Sequence, residues 1–164
     1  MEIRTLKPGD DERLRAIRLA SLGDSPDAFA STLEAELAYP AEHWSNLVES
    51  DKDAVFVAHG DEDDRWLGIA GVGIDWDDAT GSFIWGMWVE PKARGLGAGA
   101  RLLDRTLEWA KDRPTRRVRL WVTDTNDVAR RLYESRGFRP SRETKPHPPD
   151  PRLTEIEMYL EFED

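Results

Sequence analysis

The chain lacks cysteine altogether across its 164 residues. A disulfide framework, a thiolate metal site and a cysteine nucleophile are therefore excluded, so acyl transfer through a cysteinyl intermediate is excluded as well. The chain also lacks any run of about 18 apolar residues, and the stretch from Met1 to Lys7 has no apolar core of an export signal. From these absences we expect a cytoplasmic protein without a membrane-spanning helix.

Basic residues are outnumbered, because 23 Lys and Arg stand against 33 Asp and Glu and give a formal net charge of -10. This charge opposes nonspecific attraction to a polyanion, so nucleic acid is not expected as a partner. The apolar content of 39%, which includes 7 Trp, is enough for one compact core at this length. We therefore expect residues 1–164 to form a single domain.

Turn residues and hydrophobic periodicity divide the chain into strands and helices. Ser31 and Glu34 fit a capping box, which predicts a short helix through Leu37. A strand, a helix and a strand between Phe83 and Val122 form a crossover, which predicts that these two strands are parallel. The predicted strands are 3–6, 54–59, 66–74, 83–89 and 118–122, with a closing hairpin of 138 onward and 153–162 around a proline-rich loop at 146–151. The predicted helices are a first one with apolar positions 14, 17, 19 and 22 that is broken at 23–26, then 31–37, 41–49, one that follows the glycine turn and ends at Pro114, and 127–136.

The stretch from Val89 to Gly99 is the most informative part of the chain, because its three glycines join an apolar strand to an amphipathic helix. Glycine permits backbone conformations and close approaches that a Cβ obstructs. The first amides of a helix have no internal partners and point toward an arriving anion. The stretch therefore predicts an anion site, and a pyrophosphate is the expected guest.

The same letters also satisfy the loose dinucleotide pattern G-x-G-x-x-A, with Asp124 downstream as a ribose-binding acid. A nicotinamide-binding reductase is therefore an alternative. A dinucleotide fold needs several parallel strands after its glycine turn, whereas the remainder of this chain is short, proline-rich and hairpin-like. The Lys-Ser/Thr ending of the nucleoside-triphosphate loop is absent.

A second motif begins just after the strand that ends near Val122. The pattern N-x-x-A-x-x-L-Y-x-x-x-G-F is met at Asn126, Ala129, Leu132, Tyr133, Gly137 and Phe138. The pattern Arg/Gln-x-x-Gly-x-Gly/Ala is met earlier, at Arg94, Gly97 and Gly99. With both motifs in this order, the chain resembles the GNAT superfamily of N-acetyltransferases, in its motifs over roughly residues 83–138 and in its order of elements over nearly the whole chain.

The resemblance implies a single-domain GNAT-like fold of the α/β (α+β) class. Its mixed six- or seven-stranded sheet would have splayed central parallel strands and about four flanking helices. It also implies acetyl-coenzyme A as the acetyl-donor cosubstrate, with the diphosphate on main-chain amides and the pantetheine arm as a surrogate strand. No metal is implied. The implied cofactor-binding residues are Met87, Trp88, Val89, Arg94, Gly95, Leu96, Gly97, Ala98, Gly99, Ala100 and Asn126.

The resemblance further implies direct attack by a primary amine on the thioester, with Tyr133 as the general acid that protonates the departing thiolate. The general base stays open. Some members of the family use a glutamate five positions before the asparagine, and Trp121 occupies that position here. A water chain to a carboxylate is one alternative, and the candidate side chains are Glu34, Glu36, Asp75, Asp77, Glu90 and His147.

The expected acceptor is a polar small molecule with a primary amine, cationic ones included, in a site shaped by residues 28–43 and 145–151. Trp85 and Trp88 are expected in the core, although either side chain could form an aromatic wall of that site. A protein N-terminus or lysine is the alternative acceptor. A noncatalytic acyl-coenzyme A binding or sensing module is the alternative function, and the chain is expected as a monomer or a homodimer.

Overall fold

The structure is a computed structural model that describes residues 1–163. Its strands are β1 (Glu2–Thr5), β2 (Asp53–His59), β3 (Trp66–Ile74), β4 (Gly81–Val89), β5 (Arg117–Thr123), β6 (Arg139–His147) and β7 (Asp150–Glu161). They form one seven-stranded mixed sheet in the order β1-β2-β3-β4-β5-β7-β6, which confirms the predicted α/β class. The helices number five instead of about four, and they are α1 (Asp11–Asp24), α2 (Leu33–Leu37), α3 (Ala41–Glu49), α4 (Ala98–Lys111) and α5 (Asp127–Ser135).

Helices cover both faces of the sheet. Successive side chains of a strand point to opposite faces, so Phe56 of β2 enters one core and Val57 enters the other. The first core is built with Leu103 of α4, and the second with Leu14 of α1 and Trp44 of α3. Within residues 1–163, no helix combines the length and the apolar character needed to cross a membrane.

Two local expectations are wrong in detail. The side chain that caps α2 is Thr32, which accepts a hydrogen bond from the amide of Ala35 at 3.1 Å, and not Ser31. Thr32 has the extended backbone of a cap residue immediately before the helix, and Ser31 lies one position too early.

Residues 146–151 are not a loop either, because β6 and β7 continue into them and leave only Pro148 and Pro149 between the strands. Strand β6 lies at the sheet edge, where proline is tolerated.

The sheet splits between β4 and β5. The two strands are parallel, as predicted, but they pair only where Gly81–Phe83 meets Arg117–Arg119. Beyond that point β4 bulges, because Gly86 has a φ of +69° and the register of β3 with β4 shifts between Ile69 and Gly71. A bulge bends its strand and increases the local twist. We call the resulting opening the strand gap, and it confirms the predicted splay of the central strands.

Candidate functional site

The strand gap is lined by residues 84–87 of β4, residues 120–122 of β5, and side chains around α5 that include Asn126 and Tyr133. The Glu90 amide donates to Leu67 of β3 at 2.8 Å. Because the main chain of a strand alternates its direction, Trp88 also faces β3, whereas the NH and carbonyl groups of Val89 face the strand gap. Two of the predicted pantetheine partners therefore differ in the direction of their main-chain groups. Those of Val89 point toward the strand gap, whereas those of Trp88 point toward β3.

The glycine turn, residues 94–100, lies where β4 leads into α4. Gly95 and Gly97 have φ values of +81° and +86°, and a Cβ on either would meet no atom within 4 Å. The glycines therefore serve backbone conformation and not close packing. Within residues 1–163 the amides of residues 95–100 donate to no acceptor, and the first helical amide that does so is Arg101, to the carbonyl of Gly97 at 3.1 Å. The turn presents unpaired donors at the positive end of a helix dipole.

The Arg94 side chain is bound within the protein. Its Nε donates to the carbonyl of Val89 at 2.9 Å, and its Nη2 lies 2.7 Å from Oδ2 of Asp24 at the end of α1. The indole of Trp88 donates to the same oxygen at 3.0 Å. The hydrogen bonds from Trp88 and Ser25, together with the charge of Arg94, lower the pKa of Asp24. Asp24 therefore ties α1 to β4 and to the glycine turn. The amide of Arg94 is also bound within the protein, to the carbonyl of Pro91 at 3.4 Å.

Tyr133 is buried at the strand gap, with 6% of its surface exposed. Its ring packs at 5.9 Å from that of Phe138, and its hydroxyl has no hydrogen-bond partner within residues 1–163. Burial raises the pKa of Tyr133 because the phenolate would lose its hydration. Asn126 caps α5, where its Oδ1 accepts from the amide of Ala129 at 3.3 Å.

A second cavity of about 310 Å³ shares Trp85, Gly86 and Trp121 with the strand gap. Residues 28–31 wall it on one side, and Lys145 walls it on another, so both segments predicted to shape an acceptor site contribute. The ring of Trp85 lies against β3 at Gly71, where a Cβ would stand 2.2 Å from the indole. We call it the aromatic cavity, after its aromatic lining residues Phe29, Trp76, Phe83, Trp85 and Trp121.

The six candidate bases from the sequence do not line the aromatic cavity. Glu34 is exposed on α2, and Glu36 is bound through both oxygens by Arg18 at 2.9 and 3.0 Å. Glu90 pairs with Arg65 at the surface. His147 is fully buried, and its Nδ1 lies 2.9 Å from Oε1 of Glu155. These four side chains are therefore held by other parts of the protein or lie in solvent.

The remaining two candidates, Asp75 and Asp77, bind Arg119 of β5. Burial opposes ionisation of Asp75, but the hydrogen bonds from Arg119 and from the Asp77 amide, with the charge of Arg119, outweigh it and lower its pKa. Asp75 follows β3, and Arg119 lies where β4 and β5 still pair. This ion pair lies at the closed end of the strand gap. Because Arg119 binds both carboxylates there, neither is placed to act as the general base.

Glu155 of β7 is the one carboxylate among the described residues that lines the aromatic cavity, and sequence reasoning missed it. Its side chain is only 5% exposed. In the sequence it is one of several acidic residues in an alternating strand, and nothing local separates it from Glu157. The only available signal was its place in the last strand beside a predicted hairpin containing His147.

The fold of this chain is similar to that of acetyltransferases among solved structures. The ribosomal-protein-alanine N-acetyltransferase of Brucella melitensis is similar with a TM-score of 0.75 and 20% identity, over 99% of this chain and 100% of that chain. A putative streptothricin acetyltransferase of Bacillus anthracis, solved in complex with acetyl coenzyme A, is similar with a TM-score of 0.63 and 21% identity, over 72% of this chain and 67% of that chain.

Residues 15–138 match the model of the acetyltransferase (GNAT) family, and the chain belongs to that family. The predicted superfamily is thereby confirmed. The chain is also 33% identical over 158 residues to the mycothiol acetyltransferase of Acidothermus cellulolyticus. This match covers 85% of this chain and 45% of that protein. The chain thus spans less than half the length of this curated relative.

Proposed function

We propose that this protein transfers the acetyl group of acetyl-coenzyme A to the primary amine of a small molecule. The observation that carries the proposal is the combination of three features: the unpaired amides of the glycine turn, the strand gap, and the buried side chain of Tyr133 at that gap. Membership of the GNAT family and the fold shared with an acetyltransferase that binds acetyl coenzyme A support it.

The residues present fit the donor. The diphosphate would be held by the amides of residues 95–100, because a helix start with unpaired donors stabilises negative charge. The amides of the pantetheine arm would pair with main-chain groups of β4, at residues 87–89, that face the strand gap and that the split leaves without a partner on β5. Asn126 would hydrogen-bond the same arm from the start of α5.

The chemistry is a direct displacement. The neutral amine forms a C–N bond with the thioester carbon, the C–S bond breaks, and the electron pair passes to sulfur. The amide of Val89 faces the strand gap and would stabilise the oxyanion that develops on the carbonyl oxygen. Tyr133 supplies the proton to sulfur. Burial raises the pKa of Tyr133, so its hydroxyl stays protonated at neutral pH and is available as a proton donor.

The limited volume of the aromatic cavity favours a small acceptor over a protein. About 310 Å³ lies at the lower end of the range for small-molecule sites. A protein N-terminus or lysine would need an open groove for its flanking residues. A sensing module would bind the donor without needing such a cavity beside Tyr133.

Tyr133→Phe tests the proposal cleanly, because the hydroxyl has no partner within residues 1–163 whose loss would destabilise the fold. We expect unchanged binding of acetyl-coenzyme A by calorimetry and a loss of about 10²- to 10⁴-fold in amine-dependent thiol release. Tyr39→Phe, at an exposed tyrosine outside the site, is the matched control and should retain full activity. Wild-type protein that binds the donor but releases no thiol with any amine would support the sensing module instead.

A further inference from the structure

Two buried polar atoms in the aromatic cavity have no hydrogen-bond partner within residues 1–163. They are Nη1 of Arg18 on α1 and Oε2 of Glu155 on β7. Their side chains are 13% and 5% exposed. Buried groups of this kind are rare because each unmade hydrogen bond is costly. Nη1 of Arg18 is a cationic donor, and Oε2 of Glu155 is an anionic acceptor. A ligand that satisfies both therefore needs a hydrogen-bond acceptor for the first and a donor for the second.

The guanidinium of Arg18 is held on one edge, and its Nη1 on the other side has no partner within residues 1–163. Glu36 accepts from its Nε and Nη2 at 2.9 and 3.0 Å, and the guanidinium lies 4.8 Å from the ring centroid of Phe29. The free Nη1 lies beside the bulge of β4, 3.5 Å from where a Cβ on Gly86 would stand. A guanidinium held in this way is preorganised for the oxygens of a carboxylate.

Glu155 is also held on one side only. Its Oε1 lies 2.9 Å from Nδ1 of His147, which donates when that nitrogen carries the proton. Its Oε2 lies 3.6 Å from Nζ of Lys145, beyond hydrogen-bond distance, and has no hydrogen-bond donor within residues 1–163, although the side chain lines the cavity. Glu155 is therefore positioned to accept a hydrogen bond, and then a proton, from an amine in the cavity.

The charges around the cavity favour a ligand with no net charge. Arg18 is balanced by Glu36, and Lys145 by Glu155. The aromatic rings already carry cations of the protein, with Arg119 at 5.2 Å from Phe83 and Lys145 at 4.3 Å from Trp121. A simple cationic amine would add uncompensated charge to this buried region, whereas a zwitterion adds none.

From this arrangement we infer that the acetyl acceptor is a compact amino carboxylate. Its carboxylate binds Nη1 of Arg18, and its amine lies against Oε2 of Glu155. This inference rests on the proposed function. The ammonium form releases one proton to solvent, the attacking amine gives a second to Glu155, and sulfur takes the proton of Tyr133. When both residues return to their starting states, the sum is one amide, one thiol and one released proton.

The test compares matched acceptors that share a side chain: the free amino acid, its amide and the decarboxylated amine. Thiol release measured for wild-type protein should show kcat/KM at least about tenfold higher for the carboxylate form, as expected for a hydrogen bond to a charged group. Arg18→Met combined with Glu36→Gln should abolish this preference without leaving an unpaired buried carboxylate. Glu34→Gln, at an exposed residue of α2 that does not line the cavity, is the control and should keep the preference.

Glu155→Gln should lower kcat by about 10²-fold or more for all three acceptors while acetyl-coenzyme A binding stays unchanged. Glu157→Gln is the control, because Glu157 lies two positions along β7, pairs with Arg119 and does not line the cavity. If the double variant fails to fold by circular dichroism, Arg18→Lys replaces it and should raise KM for the carboxylate form by about tenfold without changing kcat.

Equal kcat/KM for the three acceptors in the wild type would overturn the inference and leave the proposed function intact. Full activity of Glu155→Gln would overturn the role of Glu155. Donor binding without acetylation of any acceptor would instead count against the proposed function itself, so the two failures are distinguishable.

Discussion

The glycine turn and the aromatic cavity both adjoin the strand gap, but their parts come from very different distances along the chain. The glycine turn is a continuous stretch, and its unpaired amides follow from the start of one helix. The aromatic cavity draws Arg18 from α1, Trp85 from β4 and Glu155 from β7. The donor side of the site is therefore a local structure, whereas the acceptor side exists only when the whole sheet has formed.

The largest expected effect comes from the closed end of the strand gap, on which both sides depend. Asp75→Asn should reduce the free energy of unfolding by about 3 kcal/mol, because it breaks a buried ion pair with Arg119. Arg119 keeps Asp77 and Glu157, which limits the loss. Urea unfolding at pH 7 measures the change. Asp77→Asn is the control, since this exposed partner of the same arginine should matter little.

The same pair has a defined pH dependence. The pKa of Asp75 is lower in the folded protein than in the unfolded chain, so its stabilisation is present above about pH 3.9 and is lost as pH falls through the folded value. Wild-type stability should therefore fall more steeply below about pH 4 than that of Asp75→Asn. Parallel curves for the two proteins would contradict the assignment.

An intermediate effect is expected at the glycine turn alone. Gly97→Val should weaken acetyl-coenzyme A binding by about tenfold or more, because a branched residue at positive φ displaces amides that each contribute about 1.5–3 kcal/mol to a charged guest. Gly9→Val is a matched control, since Gly9 also has positive φ and open space but lies far along the chain. Both variants should lose similar stability. Equal donor affinity in the two would show that the turn does not bind the donor.

The smallest expected loss of stability concerns the acceptor side of the site. Thr32→Ala should cost about 1 kcal/mol of stability, because it removes the cap of α2 next to the wall formed by residues 28–31. Ser31→Ala should cost less, since Ser31 does not cap the helix. Thermal unfolding of the two variants decides between these residues, and a larger loss for Ser31→Ala would reverse the assignment.

Most of the fold could be predicted because its signals are local. The bounds of β3 were predicted to the residue, and the crossover correctly predicted that β4 and β5 are parallel. The proline-rich hairpin was predicted less well, because proline reads as a loop signal and its tolerance at an edge strand depends on sheet order. Sheet order is a property of the whole fold.

On the donor side, the sequence by itself determined the glycine turn, since glycine at positive φ and a helix start create unpaired donors without help from distant residues. On the acceptor side, only the tertiary structure brought Glu155 beside His147 and placed Arg18 at the bulge of β4. An acidic residue in an acidic chain carries no local mark of its role. Its burial and its free oxygen arise from packing between segments that lie far apart in sequence.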